Sequence, residues 1–292
     1  MTVFRVVPAA APLGAHVFGI DLAAGVAADT VAALRDTLHR YGVVAIRDQR
    51  LADPGPMVSF CKQLGRVEGH VDTRHRVPGH PELIYISNVL DEKGEPLGLA
   101  DAGRVWHTDG HFDPDPNRYS LLYAVEVPHA DDGTPLGDTL FASAAHAWER
   151  LSPGEQARLA GRMTECSLAA IHRELKRRNP GLVRLPLSPE LAARVVTHPA
   201  GRAHPVTGRK AIYLASAATE RVLGLPEDES RALIDAMQEH IIDPAFQYRH
   251  RWPVGDLLMW DNASVQHQAS ADYAWPQRRL MWRATLNREA TS

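Results

Sequence analysis

Only two cysteines, Cys61 and Cys166, occur in the 292 residues, far apart and without C-x-x-C spacing. That excludes a disulfide framework and a zinc ribbon and suits a reducing compartment. Long apolar runs are also missing. No stretch approaches the roughly 18 residues of a spanning helix, and Arg5, Pro8, Pro12 and His16 interrupt the N-terminal segment where a secretion signal would lie. The expected location is the cytoplasm. Charge is nearly balanced, with a net −3 and a pI of about 6.6, so no global field draws the chain to nucleic acid or to an anionic membrane. Basic runs such as 173–178 read as solvated faces. A 45% hydrophobic share supplies a sizeable core. With no repeat or linker to divide it, the chain is expected to form a single domain over residues 1–292.

Histidine is the residue in plenty, at 15. Most are expected to be surface or hydrogen-bonded groups. Two stand in patterns that carry chemistry: His107 in WHTDGHF (106–112), two residues before Asp109, and His267 at the end of WDNASVQH (260–267). On an extended strand, residues i and i+2 point to one face. His107 and Asp109 would then reach one ion, with His267 brought in by the fold. Two histidines and a carboxylate on one face of an octahedral ion leave three positions open, the non-haem Fe(II) oxygenase arrangement. Zinc accepts the same donors plus water, so a zinc hydrolase stands as an alternative, as does a non-catalytic metal-binding protein. His111 continues the alternation but is assigned a structural role, because three ligands are already present. Asp261 and Asn262 are expected to orient the turn that presents His267. Trp106, Trp260 and Trp282 are expected mainly to pack.

Around these motifs the chain reads as strands flanked by helices. Helices are expected at 27–41, with Asp29 as N-cap and Gly42 as stop, at 56–64, from the capping box Ser152–Glu155, and at 227–241. Strands are expected at 3–7, 15–18, 43–46, 83–86, 120–127, 138–141, 246–252, 256–261 and 279–286, with a hairpin at 204–214. Residues 172–203, rich in arginine, proline and glycine, are the least regular and are expected to form a mobile lid or binding loop. Arg278, Arg279 and Arg283 follow His267. On a strand Arg279 and Arg283 share a face, where their planar forks suit carboxylates; the competing reading is pairing with surface acids.

WHTDGHF, GDTLFAS, THP with HPVTGRKAIYL, GDLLMWDNASVQH and PQRRLMWRATL, in this order, resemble the taurine dioxygenase / 2,4-dichlorophenoxyacetate dioxygenase family. The resemblance runs from about residue 12 to about 287. It implies a double-stranded β-helix (a distorted, cupin-like jelly-roll), mainly β with flanking helices. It also implies an enzyme that uses Fe(II), 2-oxoglutarate and O2 to hydroxylate an unactivated C–H bond, releasing succinate and CO2. A product hydroxylated beside a heteroatom would fragment. By position His107, Asp109 and His267 match the family's iron ligands and catalytic centre. Thr139 and Arg279 match residues that hold the co-substrate's distal carboxylate, and Arg283 and His70 match substrate-binding positions. The partner implied is a small molecule with an acidic group, and the assembly a homo-oligomer. Thr73 and Gly103 stand where the taurine enzyme has a tyrosine and an asparagine, which argues against taurine and for a bulkier substrate. The retained Asp109 favours hydroxylation over halogenation.

Overall fold

The computed structural model describes residues 4–69, 73–178, 180 and 186–287. The N-terminal part contributes strands β1 (Arg5–Pro8) and β2 (Ala15–Phe18), helix α1 (Ala28–Tyr41), strand β3 (Val43–Ile46) and helix α2 (Gly55–Leu64). Strands β4 (Val67–Glu68), β5 (Arg76–Val77), β6 (His80–Ser87), β7 (Tyr119–Glu126) and β8 (Thr139–Ser143) follow. Next come helices α3 (Ala144–Arg150) and α4 (Pro153–Leu159), strand β9 (Met163–Cys166), and helices α5 (Leu168–Arg178) and α6 (Pro189–Ala193). Strands β10 (Val196–Pro199), β11 (Gly201–Ala203), β12 (Lys210–Ile212) and β13 (Thr219–Val222) lead to helix α7 (Glu227–Ile241). Four strands close the chain: β14 (Gln247–His250), β15 (Leu257–Asp261), β16 (Val265–Ala269) and β17 (Leu280–Leu286).

Among the described residues the larger sheet has nine strands, in the order β1-β2-β3-β15-β7-β17-β6-β5, with β4 also paired to β17. Its pairs are antiparallel except β2 with β3. A smaller sheet, β14-β8-β16, packs against it. This is the sheet-dominated jelly-roll sandwich expected from the resemblance.

Strict alternation along the central strands decides what faces what. Tyr119, Leu121 and Tyr123 of β7, Val44 and Ile46 of β3, and Met259 of β15 pack with Leu34 and Leu38 of α1 and Phe60 and Leu64 of α2. Their neighbours Leu122, Ala124, Val43, Ala45, Leu258 and Trp260 turn the other way and meet Phe141 and Val265 of the smaller sheet. Burying each such side chain fully contributes about 1.5–3 kcal/mol, so the inter-sheet layer is firmly held. Ser120 and Arg283 share that inward face with Leu122 and Met281. Polar groups therefore stand among the apolar side chains of the inter-sheet face.

Local signals explain the boundaries. Gly42 ends α1 at φ 71°, where its N–H bonds to the Leu38 carbonyl. The Ser152–Glu155 capping box opens α4 with Pro153 in the first turn. Asp29 is not the N-cap of α1: Ala27 takes that place, and Asp29 lies in the first turn, where its charge suits the helix dipole. The stretch 172–203 is more regular than expected, since α6, β10, β11 and most of α5 fall within it; residues 179 and 181–185 lie outside the described residues. The extended strand on which His107, Asp109 and His111 would share a face does not form. His107 makes one antiparallel bridge to His267, and the chain then turns at Asp109–Gly110.

Gly110 sits at φ 72°, and an added Cβ would lie 2.5 Å from the Asn117 backbone nitrogen. We expect Gly110→Ala to lose about 2 kcal/mol or more of stability from left-handed strain and that contact, read by urea denaturation. A variant as stable as the parent would show that the turn relaxes freely. No helix among the described residues is long and apolar enough to cross a membrane.

Candidate active site

His107, Asp109 and His267 converge, each offering one ligand atom within 4.8 Å of the others. His107 reaches the cluster from the end of a loop, locked to β16 by two backbone hydrogen bonds, His107 N to His267 O (3.1 Å) and His267 N to His107 O (2.8 Å). His107 Nδ1–H donates to the Val105 carbonyl at 2.7 Å, which leaves Nε2 as a bare lone pair. That Nε2 lies 3.5 Å from Asp109 Oδ1, and His267 Nε2 lies 3.8 Å from Asp109 Oδ2. These separations are long for hydrogen bonds. They approach the spacing of about 3 Å or more between neighbouring ligand atoms that each sit about 2 Å from a common ion.

The electrostatics agree with that donor set. Burial of His267, reinforced by the neighbouring His107, holds its imidazole pKa well below the usual value, against the opposing pull of Asp109. A neutral imidazole is the form that binds metal. Burial favours the neutral acid at Asp109, yet Arg283, His267 and His107 outweigh it and keep the carboxyl well below the usual range. The Arg283 guanidinium stands 2.6 Å from Asp109 Oδ1, while its Nε is buried without a hydrogen-bond partner. The residues present thus fit a divalent metal: two neutral nitrogens and one ionised oxygen, in a pocket partly closed to water.

Arg279 occupies a different corner. Its side chain is 2% exposed and packs against Gly137, whose added Cβ would stand 3.1 Å from the arginine Nε. Burial lowers its pKa, and Tyr273 is the chief group that supports its charge. Its Nε has no hydrogen-bond partner, and among the described residues no carboxylate lies within ion-pair distance. Two residues beyond Gly137, the Thr139 hydroxyl accepts a hydrogen bond from the Trp252 indole at 3.0 Å, which leaves its own hydrogen to donate. A buried cation that Asp272 supports only from beyond ion-pair distance has donors left for an incoming carboxylate. Arg278 points to the opposite face and pairs with Glu126, as the alternation requires. His70 lies outside the described residues.

Beyond the chain turn, His111 is fully buried between the rings of His198 and Tyr213, with Nε2 3.4 Å from Cys166 Sγ. It is not among the residues whose ligand atoms converge with those of His107 and His267. Gly103 lies beside His107, an added Cβ falling 3.6 Å from the His107 Cε1. Its φ of 75° gives the backbone its own reason for glycine at this position.

The residues that sequence reasoning missed are those behind this cluster. Thr108 Oγ1 donates to the Asn262 carbonyl at 2.7 Å, and Ser120 donates to Asp109 Oδ2 at 2.6 Å. Asn262 had been assigned to the turn presenting His267, but its side chain serves the Asp109 segment as well. One signal for Ser120 was available: a polar residue at the start of the apolar run Leu121–Val125.

A second His/His/Asp group, His39, His204 and Asp261, lies within 4.8 Å. Here hydrogen bonds already commit the donors. His204 Nδ1 accepts from the Val206 and Thr207 backbone N–H groups, so its Nε2–H donates to Asp261 Oδ2 at 2.6 Å. This ties the turn of the hairpin to the Asp261–Asn262 corner. Burial opposes ionisation of Asp261, but His204 and Arg118 prevail and lower its pKa. A carboxyl with a depressed folded pKa adds stability that is present above the unfolded value of about 4 and is lost as pH falls through the folded value. We therefore expect Asp261→Asn to cost about 3 kcal/mol or more at neutral pH, and its stability to fall less steeply than the parent's below about pH 4. Parallel acid-denaturation curves would contradict this assignment.

Residues 5–285 match the family model described as taurine catabolism dioxygenase TauD, TfdA family. The chain is 31% identical over 280 residues to pentalenolactone F synthase of Streptomyces arenae, covering 93% of this chain and 91% of that one. It is 33% identical over 281 residues to the alpha-ketoglutarate-dependent 2,4-dichlorophenoxyacetate dioxygenase of Cupriavidus pinatubonensis, covering 93% of each. Among solved structures it is similar to AAD-2 in complex with Mn(II) and N-oxalylglycine, with a TM-score of 0.78, 26% identity, and 99% and 98% of the two chains covered.

Proposed function

The chain belongs to the taurine catabolism dioxygenase TauD, TfdA family, and from that premise we propose the following roles: His107, Asp109 and His267 hold its iron, Thr139 and Arg279 hold 2-oxoglutarate, and Arg283 with His70 receives a small acidic substrate other than taurine. As a member it is an oxidoreductase, a dioxygenase that uses Fe(II), 2-oxoglutarate and O2. Bound iron supplies the oxidising chemistry that couples conversion of 2-oxoglutarate to succinate and CO2 with hydroxylation of a substrate C–H bond.

The chain's own residues supply position and charge. The Val105 carbonyl fixes the His107 tautomer. Arg279 offers the co-substrate's distal carboxylate a buried, planar fork, and the Thr139 hydroxyl adds a donor. Arg283 compensates Asp109 with one nitrogen and keeps Nε for another acceptor, which supports an acidic substrate. The observation that carries this reading is the convergence of two histidines and one carboxylate, with the buried Arg279 and the half-buried Arg283 each keeping an Nε without a partner.

Names of similar proteins support an anionic substrate: a 2,4-dichlorophenoxyacetate dioxygenase, a yeast sulfonate dioxygenase and a Pseudomonas putida sulfate ester dioxygenase. Thr73, which is exposed, and Gly103 replace the contacts that the taurine enzyme has, so taurine is not the substrate proposed. Where the hydroxylated carbon bears an ether or ester oxygen, the hemiacetal-type product splits into a carbonyl compound and the released alcohol or acid.

The test is oxygen-dependent succinate formation with a panel of aryloxyalkanoates, alkyl sulfates, sulfonates and larger carboxylates. At least one acid is expected to raise the rate well above the substrate-free level, and its neutral amide or ester is not. A neutral compound that stimulates turnover as strongly as its acid would overturn the acidic-substrate reading.

A further inference from the structure

We propose that Ser120, oriented by Asn262, is a positioning residue that sets the Asp109 carboxylate for monodentate metal binding; the proposal rests on the ligand assignment above. Ser120 is fully buried and Asn262 is 2% exposed, so neither has water to satisfy it. Which end of the Asn262 amide faces which way is settled by its partners. One side-chain atom receives the Trp260 indole N–H at 3.1 Å and the Asp109 backbone N–H at 3.2 Å. Both groups only donate, so that atom is the oxygen.

The amide nitrogen therefore faces Ser120 and donates into its Oγ at 3.0 Å. The serine's own hydrogen is thereby directed onward, to Asp109 Oδ2 at 2.6 Å. The other carboxylate oxygen, Oδ1, takes Arg283 at 2.6 Å. Each oxygen of the proposed ligand carries a fixed donor, and the carboxylate plane is set by both. The same asparagine also accepts Thr108 Oγ1 on its backbone carbonyl at 2.7 Å, so it holds the turn as well as the side chain.

A facial triad needs this restraint. A carboxylate free to turn can chelate through both oxygens and close one of the three positions that the keto acid and oxygen require. A donor held on Oδ2 opposes that second bond and keeps Asp109 to a single contact.

The experiment uses the metal-stripped full chain, titrated with Co(II) and followed by its visible absorption, with thermal melts in parallel and H107A as the reference for a lost ligand. Ser120→Ala removes only the hydroxyl. We expect it to weaken Co(II) binding about 10–100-fold and, because the buried Asn262 amide loses its acceptor, to lower the melting temperature measurably but well short of unfolding. Asn262→Asp keeps the accepting oxygen but replaces the donor by a second acceptor, which draws the Ser120 hydrogen away from Asp109. Added negative charge alone would tighten cation binding, whereas loss of the relay weakens it. The expected result is weaker binding by a similar factor, and a double variant no more than about twofold weaker than Ser120→Ala, because both changes break one relay.

Parent-like Co(II) affinity in Ser120→Ala, beside weakened binding in H107A, would overturn the positioning role alone. Tighter binding in Asn262→Asp would remove the orienting step. Equal binding by the parent and H107A would instead remove the ligand assignment, and the proposal with it.

Discussion

Replacing Arg279 by leucine is expected to raise the KM for 2-oxoglutarate by about 100-fold or more. The guanidinium is buried, has an unpartnered Nε, and among the described residues finds no carboxylate in ion-pair range, so its natural partner would come from solution. Truncating one member of a buried, hydrogen-bonded charge pair costs about 2–5 kcal/mol, and each 1.4 kcal/mol is tenfold in affinity. The effect should fall on KM, because the distal carboxylate lies away from the reacting carbons and binds alike in ground and transition states. Arg279→Lys should recover little of the loss, since an ammonium cannot reproduce the planar fork. Initial rates of succinate formation against 2-oxoglutarate concentration decide the matter. An unchanged KM in the leucine variant would place the co-substrate elsewhere.

Loss of a proposed ligand should abolish turnover, and two of the ligands should differ in what else they disturb. His107 is partly exposed, and its main hydrogen bond from the side chain goes to its own loop. His107→Ala is expected to lower metal affinity and succinate formation by about 1000-fold or more, beyond the 10–100-fold of a supporting group, while the melting temperature barely moves. Asp109→Ala should match that loss and add a second one. It strands the Arg283 guanidinium and the Ser120 hydroxyl in a buried pocket, which costs about 3–5 kcal/mol of folding stability. Metal content and thermal melts of the two variants separate these effects. A destabilised His107→Ala with retained metal would contradict the assignment.

How far the sequence could be read depended on how local each signal was. The apolar periodicity of α1 and α7 and the short apolar runs of β3, β7 and β15 are carried by neighbouring residues, and these elements stand where the pattern puts them. Side-chain alternation separated Arg278 from Arg279 and Arg283. It failed at Asp109, where the strand was extended through a turn; the Asp–Gly pair was the cue, because Gly110 supplies the positive φ. Helix α5 was read as irregular because LAAIHRELKRR buries only Ala170 and Leu175, a thin apolar stripe whose support comes from tertiary packing. Strand β16, which carries His267, was missed because its order comes from β8 and from the bridge to His107, far away in sequence. The proposed ligands were legible because H-x-D and a distant histidine form a recognisable set, and the structure brings their donor atoms within 4.8 Å of one another. The relay of Asn262 and Ser120 spans 142 positions and becomes visible only once β7 and β15 lie side by side.

The most direct test of the account is anaerobic equilibrium dialysis of 2-oxoglutarate against the metal-stripped protein, with and without Fe(II). One equivalent of 2-oxoglutarate per chain is expected in the presence of iron, with much weaker binding in its absence and in His107→Ala. Binding of equal strength with and without iron, or no binding even with iron, would contradict a single site built from His107, Asp109, His267 and Arg279.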